Sequence, residues 1–263
     1  MNPIKLSAAD WCFYPKLGDP ERYYDTLKGL GIDGAEMVDP SRYAAARSAG
    51  LEIVTMSGPG MATGLNRREH HPELIPLLRD AIQHAGENKI PILIVFSGNR
   101  AGQTNADGIV NCRRGFEAVL PDAERAGVVL GFEMLNTYDH PDYQADRGLF
   151  GFELAEAIDS PWFKLVYDIY HMERMGDDSA YDIVEHLSSI AHLHVAESHQ
   201  RSVPLADGNI RHSKIVPAVV KAGYQGYWGL EYIPGKGNRN HQEPLDELLQ
   251  AVAMVRWLSA SRG

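Results

Sequence analysis

Short apolar, β-branched runs alternate with amphipathic stretches eight times along the 263-residue chain, and this alternation restricts the fold more than any other feature. The runs are IKLSA, GAEMV, LEIVTMS, PILIVFSG, VVLGFEML, FKLVYDI, AHLHVAE and YWGLEYI. Between them lie stretches such as PERYYDTLKGLG, PSRYAAARSAG and PELIPLLRDAIQHAGENK, where apolar residues recur three and four apart and glycine often closes the run. Strands separated by helices run parallel, and eight such units close naturally into a (β/α)8 barrel; an open doubly wound sheet is the competing arrangement. No Ser/Gly-rich linker or charge block divides the chain, so one barrel domain over 1–263 is expected. Pro121, inside GFEAVLPDAERAG, predicts a kink or break, and PLDELLQAVAMVRWLSA reads as the eighth helix.

Hydrophobic residues at 44% and charged residues at 23% are those of an ordinary globular protein with a sizeable core. A formal net charge of −10 argues against a nucleic-acid partner, because such affinity comes from clustered Lys and Arg that displace counterions. A small molecule is the expected partner. MNPIKLSAADWCFYP carries no basic segment ahead of a long apolar run, and no stretch reaches the roughly 18 apolar residues of a membrane span, so a cytoplasmic location away from membranes is expected. Cys12 and Cys112 belong to no CxxC motif and read as buried thiols.

Two connections exceed the others in length, residues 57 to 72 after the third strand and 136 to 150 after the fifth. Both follow strand C-termini, the face of a barrel where catalytic groups gather, and so point to a covered active site. Glu133, Asp168, His194 and Glu231 fall late in strands five, six, seven and eight, each within an apolar run. Ionised carboxylates there need a compensating proton, cation or metal. A divalent cation would remove the repulsion among three carboxylates and use all four side chains; oxygen-rich ligands with one imidazole suit Mg²⁺ or Mn²⁺, with Co²⁺ an alternative and Zn²⁺ less natural than at a thiolate site. Trp11, Phe13 and Tyr14 after the first strand read either as an apolar wall over a substrate or as plain packing.

The stretches IVFSGNR (94 to 100), NTYDHPDYQ (136 to 144), KLVYDIYHM (164 to 172) and YWGLEYIP (227 to 234) resemble hydroxypyruvate isomerases, within the wider xylose isomerase-like superfamily. That resemblance implies a TIM barrel whose metal is held at Glu133, Asp168, His194 and Glu231, with the two glutamates also as proton donor and acceptor. It further implies that His171, three residues after the aspartate, touches a substrate oxygen, and the family's arginine seven residues after the strand-seven ligand is met by Arg201. Two stretches depart from the pattern. SGPGMATGLNR stands where relatives tend to have a His-Gly pair, and HVAESHQRSVPLADGN stands where they have a Gly/Pro-rich turn.

The reaction so implied moves a proton between adjacent carbons of a hydroxy-carbonyl compound through an enediolate, with hydroxypyruvate to tartronate semialdehyde the expected case. The metal would act as Lewis acid, and Glu133 or Glu231 as base. Glutamates on opposite faces of the substrate would give epimerisation, so a ketose 3-epimerase is the alternative. A substrate carboxylate needs a local cation, and Arg201, Arg100 and Arg67 are candidates, each weighed against a salt-bridged surface arginine. His171 is weighed in the same way against a residue capping the following helix. An apurinic-site endonuclease would need further histidine ligands and a basic face, and a non-catalytic sugar-acid binder would exchange no carbon-bound proton. No particular interface is legible, and a homodimer or tetramer is the assembly expected of such barrels.

Overall fold

The computed structural model describes residues 4–14, 16–17, 19–198, 200–237 and 243–260. Eight parallel strands close into a barrel in sequence order. They are β1 (Lys5–Ala9), β2 (Gly34–Glu36), β3 (Glu52–Ser57), β4 (Ile92–Val95), β5 (Val129–Glu133), β6 (Phe163–Asp168), β7 (Ile190–Val195) and β8 (Tyr227–Leu230). Each falls within one of the eight apolar runs, apart from an end residue of β1 and of β7. The barrel expectation is met, and the open-sheet alternative falls because β1 pairs with β8, Ser7 opposite Gly229. Leu6, Leu93, Leu130, Leu165, Leu193 and Leu230 are all fully buried. Burial of each such side chain contributes about 1.5–3 kcal/mol, and strands covered on both faces read as continuous apolar runs rather than alternating ones.

The helices are α1 (Asp10–Phe13), α2 (Tyr23–Gly29), α3 (Tyr43–Ser48), α4 (His71–Glu87), α5 (Asn105–Glu117), α6 (Leu120–Ala126), α7 (Gly148–Ile158), α8 (Ile169–Met175), α9 (Ser179–Glu185), α10 (His212–Ala222) and α11 (Pro244–Ala260). Pro121 produces the expected break. Helix α5 stops at Glu117, and α6 restarts with Pro121 in its first turn, where a missing N–H costs nothing. Among the described residues no helix is long and apolar enough to cross a membrane.

By backbone proximity the chain groups into two compact units. One comprises Met1–Val54, Asp178–Leu187 and His192–Gly263, and contains β1, β2, β8 and most of β7. The other comprises Thr55–Asp177 with Ser188–Ala191 and contains β4, β5 and β6. In the second unit the long connections after β3 and β5 are present as expected. Gly64 packs so tightly against the Ser97 carbonyl and the Gly98 amide that a Cβ has no room there. In the first unit a further long connection, 196–211 after β7, was not singled out from the sequence; it carries Arg201.

Candidate metal and substrate site

Glu133 and Asp168 are the last residues of β5 and β6, where the ladder pairs Glu133 with Val166. Both are buried, Glu133 to 6% exposure and Asp168 completely. Asp168 also caps α8, its Oδ1 accepting the His171 backbone N–H at 3.2 Å. The His171 ring is fixed by the loop after β5: Nδ1 accepts the Asn136 backbone N–H at 3.0 Å. Its proton therefore sits on Nε2, which lies 3.6 Å from Asp168 Oδ2. Of the two roles weighed for His171, the helix cap is the one these contacts display. Its backbone lies in the cap, and its ring stands beside the aspartate.

The loop is itself pinned. Asn136 Oδ1 accepts the backbone N–H groups of Tyr138 at 3.0 Å and Asp139 at 2.9 Å. Asp139 in turn accepts from Asn136 Nδ2 at 2.9 Å, from the Tyr170 hydroxyl and from Arg174. Burial pushes the Asp139 carboxyl up, but these donors outweigh it and hold it below its ordinary value. Farther along, the buried Tyr143 hydroxyl accepts the Ser97 N–H at 2.9 Å and donates to the Glu133 carbonyl at 3.0 Å. Arg100 donates to the Gln144 carbonyl and to Asp146 Oδ1, both at 3.2 Å, and Arg67 donates to the carbonyls of Arg100 and Ala101, both at 2.8 Å. Those partners give Arg100 and Arg67 the salt-bridged and loop-bracing roles against which a substrate role was weighed.

In the other unit, His194 is the penultimate residue of β7 and Glu231 follows β8 directly. Three side chains meet the Glu231 carboxylate. Trp11 Nε1 donates to Oε1 at 2.8 Å, His194 Nδ1 lies 2.8 Å from Oε2, and the Arg201 guanidinium donates to Oε2. Arg201 Nε donates as well to the Glu231 carbonyl at 2.8 Å. Burial pushes the Glu231 carboxyl up, yet Arg201 and His194 outweigh it and hold the group down at about 2. Gln200 and Arg201 both take left-handed backbone, with φ of 56° and 52°. Such conformations cost about 1–3 kcal/mol each and persist where the surroundings dictate them; here they turn the chain so that Arg201 reaches Glu231. The Arg201 guanidinium carbon stands 5.5 Å from the centre of the Trp11 ring. Beyond the two readings of Trp11, apolar wall or plain packing, its indole N–H makes it a polar partner of Glu231.

Glu133, Asp168, His194 and Glu231 each offer a ligand atom within 4.8 Å of one another, and all four are buried. Three carboxylate oxygens and one imidazole nitrogen form a hard, oxygen-rich donor set, which fits a divalent cation. Residues 58–60 are Gly-Pro-Gly, and the neighbouring Ser57 hydroxyl donates to the Gly58 carbonyl at 3.5 Å. Cys12 and Cys112 are free and buried, and burial pushes both thiols up.

A closed parallel barrel with functional groups at the ends of its late strands defines a class of proteins, and the comparisons agree. The xylose isomerase-like TIM barrel family is matched over residues 25–258, and the chain belongs to it. Among curated proteins the chain is 25% identical over 260 residues to a putative hydroxypyruvate isomerase of Mus musculus, covering 89% of this chain and 91% of that one. It is 26% identical over 159 residues to the hydroxypyruvate isomerase of Escherichia coli (strain K12), covering 59% of this chain and 60% of that one. Among solved structures, D-psicose 3-epimerase from Clostridium cellulolyticum H10, determined with D-tagatose, has a TM-score of 0.80 at 17% identity over 98% of this chain and 100% of that chain. That last likeness is one of fold.

Proposed function

We propose that this protein is a metal-dependent isomerase of a small hydroxy keto acid, converting hydroxypyruvate to tartronate semialdehyde. The observation that carries the reading is the convergence of Glu133, Asp168, His194 and Glu231 in a buried, oxygen-rich group. Curated relatives named for that reaction support it. The four side chains would hold one divalent ion, Mg²⁺ or Mn²⁺ by donor chemistry, with Co²⁺ an alternative and Zn²⁺ less natural. When bound, such an ion supplies Lewis-acid polarisation of the substrate oxygens.

The chain's own groups do the rest. One glutamate, Glu133 or Glu231, takes a proton from the hydroxymethyl carbon. A proton is returned to the neighbouring carbonyl carbon while the hydroxyl proton passes between the two oxygens, so the product is an isomer with nothing gained or lost. Glu231, held well below the usual carboxylate range by Arg201 and His194, carries no proton at neutral pH but is a weakened base while those contacts last. His171, with its proton on Nε2, serves as a donor to a substrate oxygen. Arg201, the most buried of the three arginines considered, is the counter-charge for the substrate carboxylate, with Arg100 the outer candidate.

Proton NMR of hydroxypyruvate and of several ketoses in D₂O with Mg²⁺ tests the reading, comparing wild type with Glu133→Gln and Glu231→Gln. Exchange at the hydroxymethyl carbon of hydroxypyruvate in the wild type, falling about 10²–10⁴-fold in either variant, is the expected result. Exchange confined to ketoses would transfer the assignment to a ketose 3-epimerase. Absence of carbon-bound exchange with every substrate would remove the isomerase.

A further inference from the structure

The connection after β7 carries Arg201, and a carboxylate on the same connection takes no part in the group of four or in the mechanism above. Glu197 is buried to 4% exposure. Its Oε1 accepts backbone N–H groups from both ends of the connection, Ser198 at 2.7 Å and Ile210 at 3.0 Å. Its Oε2 lies against Gly208, where a Cβ would overlap it. One side chain thus draws the two ends of a long loop together. The backbone adds a bridge, in which Glu197 pairs antiparallel with Ser202 and donates its N–H to the Ser202 carbonyl at 2.9 Å. Beyond Ile210 the loop is fastened to α10: His212, fully buried, places Nδ1 2.8 Å from the Leu205 carbonyl, and the Ser213 N–H donates to the Ala206 carbonyl at 2.8 Å. A carbonyl only accepts, so His212 Nδ1 is the donor.

Arg201 stands inside the bend that the Glu197–Ser202 bridge closes. Its backbone is left-handed, with φ of 52°, a conformation that a residue with a side chain keeps only where the surroundings impose it. The bend delivers Arg201 to the end of β8, where its carbonyl accepts the Ile233 N–H at 2.7 Å and its Nε donates to the Glu231 carbonyl at 2.8 Å. We infer that Glu197 is the positioning residue of Arg201: by accepting at both ends of the connection it holds the bend closed, so that the guanidinium meets the end of β8 and the carboxylate of a hydroxy keto acid. The substrate half of that statement rests on the function proposed above, whereas the clamp on Arg201 does not. The clamp works through an acceptor oxygen, so an amide at 197 preserves it. A methyl group at 208 displaces the carboxylate and releases it.

Two measurements on the full-length protein test this, using Glu197→Ala, Glu197→Gln, Gly208→Ala and Arg201→Lys. The first is the ¹H–¹⁵N resonance of Arg201 Nε–H, assigned by its loss in Arg201→Lys and read without metal or substrate. Its exchange with water is expected to be slow in wild type and Glu197→Gln, and at least about tenfold faster in Glu197→Ala and Gly208→Ala. The second is kcat/KM for hydroxypyruvate with Mg²⁺. A small displacement of a substrate-holding group lowers it about 10²-fold, which is the loss expected in Glu197→Ala and Gly208→Ala, with Glu197→Gln within about threefold of wild type. Adding Glu197→Ala to Arg201→Lys is expected to change kcat/KM by less than about twofold, because a residue that acts through Arg201 has nothing left to place; a general loss of stability would multiply instead. Gly208→Ala keeps the carboxylate and serves where Glu197→Ala does not fold. Multiplying losses in the double variant overturn the proposal, as does an unchanged Arg201 resonance in the folded alanine variants or a Glu197→Gln protein as impaired as Glu197→Ala. If the wild type does not turn over hydroxypyruvate, it is the proposed function that falls, and the Arg201 resonance alone decides for or against Glu197.

Discussion

Replacing Tyr143 with phenylalanine removes one oxygen from the loop after β5, and the structure gives the cost. The hydroxyl is buried, accepts the Ser97 N–H at 2.9 Å and donates to the Glu133 carbonyl at 3.0 Å. Both partners are backbone groups at the ends of strands or just beyond them, and both are buried. The ring itself keeps its packing in the variant, so lost apolar burial contributes little. What changes is two buried polar groups left without this partner, at about 1–3 kcal/mol for each unmade bond. Partial repair by the second lone pair and by small backbone shifts puts the expected loss at about 2–4 kcal/mol, equivalent to about 4–16 °C in Tm at the 2–4 °C per kcal/mol usual for a chain of this size. Urea denaturation followed by circular dichroism at 25 °C measures it, with an unchanged dependence on denaturant showing that the unfolded state is the same. A loss under about 0.5 kcal/mol, the scale of an ordinary surface change, would refute the claim that this hydroxyl locks the loop to the strand ends. The proposed activity should fall further than stability alone explains, because the carbonyl released belongs to Glu133.

Trp11→Phe keeps an aromatic ring at the mouth of the site and removes only the N–H that reaches Glu231; since a hydrogen bond to a charged group is worth about 1.5–3 kcal/mol and this indole is half exposed, kcat/KM is expected to drop about tenfold at the lower end of that range. An unchanged kcat/KM would show that the contact is incidental. For Asp139, whose folded-state carboxyl is held below its ordinary value of 3.8 by Tyr170, Asn136 and Arg174 after these offset burial, the stabilisation is fully present above that ordinary value and is lost as the pH falls through the lowered one. The difference in urea midpoint between wild type and Asp139→Asn is therefore expected to be wide at pH 7 and to narrow below about pH 4; a gap independent of pH contradicts the assignment. Cys12 and Cys112, buried thiols with raised proton affinity, are expected to resist a maleimide at pH 8 in the native protein and to react together in guanidinium chloride. Rapid labelling of either thiol in the native protein counts against the packing described.

The sequence discloses the barrel because strands covered on both faces have no choice but to be apolar throughout. ILIV in β4 and FKLVYD in β6 stand out against helices that repeat every three to four residues. The four candidate ligands stand out for the same reason, each an ionisable residue inside an apolar run. Glu36 in GAEMV and His192 in AHLHVAE carry that signal as well, two more buried titratable groups on strands, yet attention to the late strands passed over a carboxylate on β2. The contact between Glu36 and β7 spans 158 positions in the chain and depends on the missing side chain at Gly229, which reads on its own as an ordinary strand glycine. Arg201 marks the opposite limit. Its spacing from His194 was legible, but its grip on Glu231 comes from two successive left-handed residues, Gln200 and Arg201, neither of them glycine. Local preference opposes that geometry, and only the surrounding fold enforces it. Side chains whose role follows from strand position could thus be read in advance, whereas those placed by a strained turn or by an absent Cβ required coordinates. Trp11 belongs with the latter, since nothing in SAADWCFYP announces that a four-residue helix follows β1 and aims the indole N–H at Glu231.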